Sequence, residues 1–225
     1  MIIRPLVIPY FVNLHKRSRG HTHNRSYLVP HIVIKNALQN FDQVKKEILD
    51  NAHDTHRAQR GGPNGHSVKW FTALDLPITS EIMRSIAKKH MGSFNNNINI
   101  DFSDVLFEYQ LIEYNTPNDQ YNWHIDGVIA TDGSKSRRMT LGLNLTTNNV
   151  DFTGDGFQLS TVTGFIDNEN EARVLATNCA SALSTNQVAA LSLKNSMIIF
   201  NPDTIHRASP ITSGKRQLLT VWVIW

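Results

Sequence analysis

The sequence predicts a mainly β domain with supporting N-terminal helices, a sandwich or barrel of short strands buttressed by those helices. Three observations predict it. From Val105 onward, short β-prone runs follow one another, separated by turn residues. Both segments with helical spacing lie earlier in the chain, and helices early with many strands late fit a layered antiparallel architecture. The length of 225 residues, 40% of them hydrophobic, supports one core rather than two.

The elements follow in order. His31-Ile32-Val33-Ile34 reads as a short strand. After Asn40-Phe41-Asp42, residues Val44, Ile48 and Leu49 recur at helical spacing, with Asn40 or Asp42 as the cap. A second helix is expected from about Thr79 to Met91, capped by Thr79 or Ser80 and closed by Lys88, Lys89 and His90. Strands are expected at Val105 to Tyr114, Met139 to Leu145, Phe157 to Leu159, Met197 to Phe200, Thr204 to Ala208 and Gln217 to Trp225. Turns fall at Thr131 to Ser134, Thr153 to Gly156 and Thr212 to Gly214. The polar, Ala/Ser-rich stretch Asn168 to Asn186 reads as an insertion or long loop. The expected organisation is an irregular extension over 1–31 and one domain over 32–225, with helical support over about 32–100 and a β core over about 102–225.

Composition narrows the function. Charged residues are 18%, below the usual quarter, so a disordered or coiled-coil chain is excluded. A net charge of +3 with pI ≈ 9.0 only weakly favours an acidic partner. The basic stretch Arg17 to Arg25, with His21 and His23, reads as a surface loop rather than a nucleic-acid or metal contact. The single cysteine, Cys179, cannot form an internal disulfide and has no neighbouring base, so it reads as structural. No apolar run is long enough to span a bilayer, and Met1 to Phe11 is broken by Arg4, Pro5 and Pro9. A soluble, cytoplasmic protein with no membrane partner is the expectation.

The chemistry-bearing residues begin at Tyr121-Asn122-Trp123-His124-Ile125-Asp126-Gly127. In an extended segment alternate side chains share a face, so His124 and Asp126 point the same way. Two histidines and one carboxylate with open positions make the facial triad of non-haem iron oxygenases. A lone H-x-D is weak evidence, because a histidine satisfied by a neighbouring carboxylate looks the same. The third ligand is expected on a distant strand, and His206 sits there. Ten positions later comes Arg216. Pro210, Ser213 and Gly214 mark a reversal, and a hairpin centred near Ile211 makes His206 and Arg216 cross-strand neighbours on one face. A guanidinium within an apolar strand needs a partner, and its fork matches a carboxylate.

Together these residues resemble the prolyl 4-hydroxylase-like branch of the iron(II)/2-oxoglutarate dioxygenases. Tyr114, Tyr121, His124 and Asp126 match that family's two tyrosines ahead of H-x-D. Arg138-Met139-Thr140 and Leu143-Asn144-Leu145 resemble the following strand. His206, Gly214, Arg216, Thr220 and Trp222 match its C-terminal part. Gly154-Asp155-Gly156-Phe157-Gln158-Leu159 departs from the usual G-G-E-L, keeping the glycines and losing the acid. The resemblance covers about Ile32 to Trp225 and implies a double-stranded β-helix, the cupin-like jelly roll. It implies Fe(II) held by His124, Asp126 and His206. It implies 2-oxoglutarate held at its far carboxylate by Arg216 and Tyr114, with Thr220 and Trp222 lining the pocket. O2 is the co-reactant and ascorbate a candidate accessory. The implied reaction releases succinate and carbon dioxide while hydroxylating an unactivated C–H bond, in the first instance of a prolyl residue in a peptide or protein. Trp123, Arg137 and Arg138 are candidate substrate contacts.

Three other readings compete. A hydroxylase of a free amino acid or other small molecule would use the same residues. An AlkB-type nucleic-acid demethylase suits the pI, but that family sets its arginine farther from the distal histidine and adds a second, and no arginine follows Arg216. A non-catalytic jelly-roll binding module with a structural metal would normally close the site with four protein ligands, and only three are visible.

Overall fold

The computed structural model describes residues 30–52, 56–58, 65–94, 101–126, 136–163 and 181–225. The basic stretch 17–25, Cys179, the turn at 131–134 and most of the 168–186 stretch lie outside them.

The described chain folds as a double-stranded β-helix with two helices packed on one sheet. The first strand, β1 (His31–Ile34), leads into α1 (Phe41–Asp50), β2 (His56–Ala58), β3 (His66–Phe71) and α2 (Pro77–His90). Then come β4 (Leu106–Tyr114), β5 (Tyr121–His124), β6 (Arg137–Asn144), β7 (Phe152–Gly154) and β8 (Phe157–Thr163). The chain closes with α3 (Thr185–Leu191), β9 (Met197–Phe200), β10 (Thr204–Ala208), β11 (Ile211–Gly214) and β12 (Arg216–Ile224). The larger sheet runs β1-β9-β6-β12-β4-β3-β2, and the smaller runs β5-β10-β8. The pair β11-β7 stands beside them. Sequence and structure agree on β4, β6, β9, β10 and β12, whereas β7 and β11 fall where turns were expected. The early strands β2 and β3 went unread, because their histidines and lysine mask the pattern.

Strand β12 organises the molecule. It lies between β4 and β6, and all nine of its residues are buried. Leu219, Val221 and Val223 face the helices and pack with Val44 and Ile48 of α1 and Met83 and Ala87 of α2. Each fully buried Val, Ile or Met there is worth roughly 1.5–3 kcal/mol. Arg216, Leu218, Thr220 and Trp222 alternate onto the opposite face, toward the smaller sheet. A hydroxyl and a cation, Thr220 and Arg216, therefore occupy the interior face of a central strand.

Three local expectations are corrected. Helix α2 begins at Pro77, not Thr79, and neither Thr79 nor Ser80 caps it. Proline pre-sets the first turn, and the free amides are met from another helix: Glu47 of α1 accepts from Ile78 N at 2.9 Å, Thr79 N at 2.7 Å and Thr79 Oγ1 at 2.6 Å. The end of the stretch read as a loop holds α3, entered through a capping box between Ser184 and Gln187. Leu183 and Leu191 then pack against Phe157, Leu159, Ile198 and Phe200 between the sheets.

The third correction concerns the expected hairpin. His206 and Arg216 are not cross-strand neighbours. Strand β10 pairs with β5 and β8, whereas β12 pairs with β4 and β6. Residues 211–214 form a separate strand that leaves to pair with β7, so the chain crosses between sheets there. Gly214 makes the crossing possible: its φ is +77°, and a Cβ would collide with the carbonyl of Asp151 and the Cα of Phe152.

Candidate metal centre and cosubstrate pocket

Between the two sheets lies a cavity of about 510 Å³, mouth included, lined mainly by apolar side chains. His124 enters it from the end of β5 and His206 from the middle of β10. The two histidines are directly paired in the β5/β10 register. Asp126 follows two residues beyond His124. Its Oδ1 lies 3.8 Å from His124 Nε2 and 3.5 Å from His206 Nε2. One ligand atom from each of the three lies within 4.8 Å of the others, a group that could hold a metal ion.

Each ring is oriented by its own strand. His124 Nδ1 lies 2.6 Å from the carbonyl of Asn122, and His206 Nδ1 lies 2.8 Å from that of Thr204. An Nδ1–H donating to a carbonyl leaves the Nε2 lone pair facing the cavity. In both cases the acceptor stands two residues before the histidine. Aromatic walls hold the rings: Tyr121 stacks on His124 at 3.6 Å, His66 packs on Tyr121 at 4.5 Å, and Phe200 meets His206 at 4.7 Å.

The electrostatics suit a cation. Burial, with His206 adding to it and Asp126 opposing, lowers His124 to about 3, so the metal-free ring is neutral at ordinary pH. Burial alone would raise Asp126, but the two imidazoles and the Thr140 hydrogen bond outweigh it and hold the carboxyl well below its usual range. Thr140 Oγ1 donates to Asp126 Oδ2 at 2.6 Å, leaving Oδ1 for the cavity. Two imidazoles and one carboxylate, with no fourth protein ligand among the described residues, leave coordination positions open.

Tyr114, Thr220 and Trp222 line the same cavity. Arg216, 2% exposed, stands beside the cavity-lining Tyr114, its cross-strand partner. Its guanidinium carbon sits 5.4 Å from the Tyr114 ring and 5.6 Å from the Phe152 ring. Among the described residues, no carboxylate pairs with it. Arg216 Nη1, Tyr114 Oη and Trp222 Nε1 are buried with no hydrogen-bond partner. Such orphans cost free energy and call for an explanation. Two of them adjoin on one cross-strand pair and match the two oxygens of a carboxylate. The residues present therefore fit a dication at one place and an acid bound by its far end at another.

The three candidate substrate contacts fare differently. Trp123 carries Arg207 over its ring at 4.7 Å, and Arg207 Nε donates to Gln158 at 2.6 Å. These three alternate with His124, His206 and Leu159, so they lie on the outer face of the smaller sheet. Gln158, which stands where the family pattern has an acid, is the acceptor there. Arg138 is exposed. Arg137 is engaged by Glu108 and by the Asp126 carbonyl. Sequence reasoning missed Thr140, His66 and the role of Arg137. Only Thr140 carried a signal, as the one hydroxyl within the run Met139-Thr140-Leu141-Gly142-Leu143.

A sequence model of the 2OG-Fe(II) oxygenase superfamily matches residues 109–224. No curated protein sequence matches the chain. Among solved structures, it is similar to a Pseudomonas putida prolyl-4-hydroxylase, at 15% identity and a TM-score of 0.52 over 87% of this chain and 92% of that one. It is similar to a Trichoplax adhaerens prolyl hydroxylase solved with a hypoxia inducible factor peptide, at 13% identity and TM-score 0.53 over 86% and 82%. It is also similar to a non-heme alpha ketoglutarate dependent carbocyclase from nogalamycin biosynthesis, at 11% identity and TM-score 0.55 over 87% and 79%. At these identities the likeness speaks for the fold.

Proposed function

The chain belongs to the 2OG-Fe(II) oxygenase superfamily, and from that premise we propose that it hydroxylates a prolyl residue of a peptide or protein. His124 and His206 would hold the iron through Nε2 and Asp126 through Oδ1. Arg216 and Tyr114 would receive the far carboxylate of 2-oxoglutarate, with Thr220 and Trp222 along its flank. When bound, the ferrous ion supplies the redox chemistry that couples loss of carbon dioxide from 2-oxoglutarate to insertion of oxygen into a C–H bond.

The chain's own residues bind, orient and exclude water. Asn122 and Thr204 carbonyls keep both imidazoles in the tautomer that offers Nε2. Leu218, Ile112 and Phe157 make the walls apolar, which strengthens every charge interaction inside. The observation that carries the proposal is the buried Arg216, with no carboxylate partner among the described residues, beside the partnerless hydroxyl of Tyr114, which lines the same cavity as the three convergent ligands. The choice of a peptide is supported by Trp70, 51% exposed and stacked on the cavity-lining Trp222 at 5.4 Å, which offers an aromatic surface to an apolar ring. No helix among the described residues is long and apolar enough to cross a membrane.

The test is succinate release from 2-oxoglutarate with Fe(II), screened over proline-containing peptides and free amino acids, with Asp126→Ala as the dead-metal control. Stimulation by peptides above the uncoupled rate is expected. Stimulation only by free amino acids would overturn the peptide reading. Neither turnover nor 2-oxoglutarate binding would overturn the enzyme.

A further inference from the structure

Asp126 poses a structural problem that the two histidines do not. His124 and His206 sit within paired strands, so the β5/β10 ladder holds their backbones. Asp126 lies beyond the end of β5, where no ladder sets its main chain. Two hydrogen bonds hold it instead. Its N–H donates to the Pro202 carbonyl at 2.9 Å, on the turn ahead of β10. Its carbonyl accepts from Arg137 Nη1 at 2.6 Å. The guanidinium is itself clamped: Nε and Nη2 donate to Glu108 Oε2 at 3.0 and 2.7 Å, and it lies 4.1 Å from the centre of the Trp222 ring.

Strand β6 delivers Arg137 only through an irregularity. In the β12/β6 register Val223 faces Met139 and Ile224 faces Arg137. One step on β12 spans two on β6, so Arg138 is an extra residue, a β-bulge. Without it, alternation would place Arg137 with Met139 and Leu141, on the helix side. With it, Arg137 and Thr140 both reach Asp126, and Arg138 is exposed.

We infer that Arg137, re-aimed by the bulge at Arg138, is the positioning residue for the Asp126 carboxylate. It holds the main-chain carbonyl so that Thr140 takes Oδ2 and Oδ1 stays turned toward the imidazoles. Arg137 does not touch the metal; it acts through Asp126. The inference rests on the proposed metal site.

The experiment measures Mn(II) affinity of the metal-free protein by calorimetry, together with the visible absorption of the Co(II) form and the melting temperature without metal. Arg137→Met keeps an unbranched side chain at the position and removes every donor. Its Mn(II) affinity should fall about 10- to 100-fold, the usual consequence of losing a group that orients a ligand. The Co(II) bands should shift, and the metal-free melting temperature should move by no more than a few degrees. Arg137→Lys, which can still donate to the carbonyl, should recover part of the affinity. Removal of Arg207, the cation on the outer face, should leave affinity and spectrum unchanged. Wild-type affinity and spectrum in Arg137→Met overturn the inference while leaving the metal site standing. An affinity loss matched by an equal loss of metal-free stability, with an unshifted Co(II) spectrum, also overturns it. If Arg137→Met does not fold, Glu108→Gln, which loosens the clamp, decides: a loss of about 3- to 10-fold supports the role, and wild-type affinity refutes it. Failure of the wild-type protein to bind Mn(II) would overturn the metal site and the inference with it.

Discussion

Replacing Arg216 by methionine should make the metal-free protein more stable and at the same time leave it unable to hold 2-oxoglutarate. The guanidinium is 2% exposed and has no carboxylate partner among the described residues. Burial pushes its pKa down, the signature of a cation whose hydration has been removed, with Tyr114 opposing only in part. An ion buried in this way costs several kcal/mol after relaxation. Against that stand two ring contacts at 5.4 and 5.6 Å; a desolvated cation–π contact can reach about 2 kcal/mol, but these lie near the outer limit of its range and are worth about 1 kcal/mol each. The balance favours methionine by about 2 kcal/mol. At about 2–4 °C per kcal/mol for a chain of this size, the melting temperature should rise by about 4–8 °C. The same change removes a charge-assisted pair to the acid, so 2-oxoglutarate affinity should fall about 30- to 1,000-fold, or 2–4 kcal/mol. The assay is thermal melting of wild type and Arg216→Met, metal-free and then with Mn(II) and saturating 2-oxoglutarate. Ligand at a hundredfold its Kd adds about 2.7 kcal/mol to the wild type and almost nothing to the variant, so their order should close up or reverse. A variant that melts below the metal-free wild type would refute the claim that this cation is held at a cost. A variant that keeps the full 2-oxoglutarate shift would refute its role.

The capping of α2 by another helix predicts that Glu47→Ala removes three hydrogen bonds at once and costs about 2 kcal/mol. That is a fall of about 4–8 °C in a thermal melt; a loss no larger than that of the exposed Glu81→Ala would contradict it. The metal-free protein should also lose stability as pH falls from 7 to 5. In the folded state His124 is lowered to about 3 from an ordinary 6.5, so over that interval the unfolded chain binds the extra proton. The stability is fully present above about 6.5 and drains away below it, by about 2 kcal/mol at pH 5. Urea titrations in chelator at the two pH values should show this slope in the wild type and a flatter one in His124→Asn; equal slopes would exclude His124 as its source.

Much of this molecule was legible from local pattern, and the exceptions share one cause. Strands β4, β6, β9, β10 and β12 could be read directly as β-prone runs bounded by turn residues, whereas β7 and β11 read as turns because glycine, threonine and serine dominate them. The H-x-D spacing at the end of β5 brought His124 and Asp126 together by local geometry, and an arginine embedded in the apolar run of β12 announced an unmet need for an anion. The relation of His206 to Arg216 could not be read in this way. Proline and glycine between them signalled a reversal, but whether the chain returns along the same sheet or crosses to the other is settled by which edges β7 and β11 leave to be paired. Glu47 capping a helix 31 residues away, Thr140 and Arg137 converging on Asp126, and the extra residue at Arg138 belong to the same class. Periodicity and spacing act within a few residues of the chain and so determined the strands and half of the site. Hydrogen bonds between distant segments depend on register and sheet order, which only the folded packing decides.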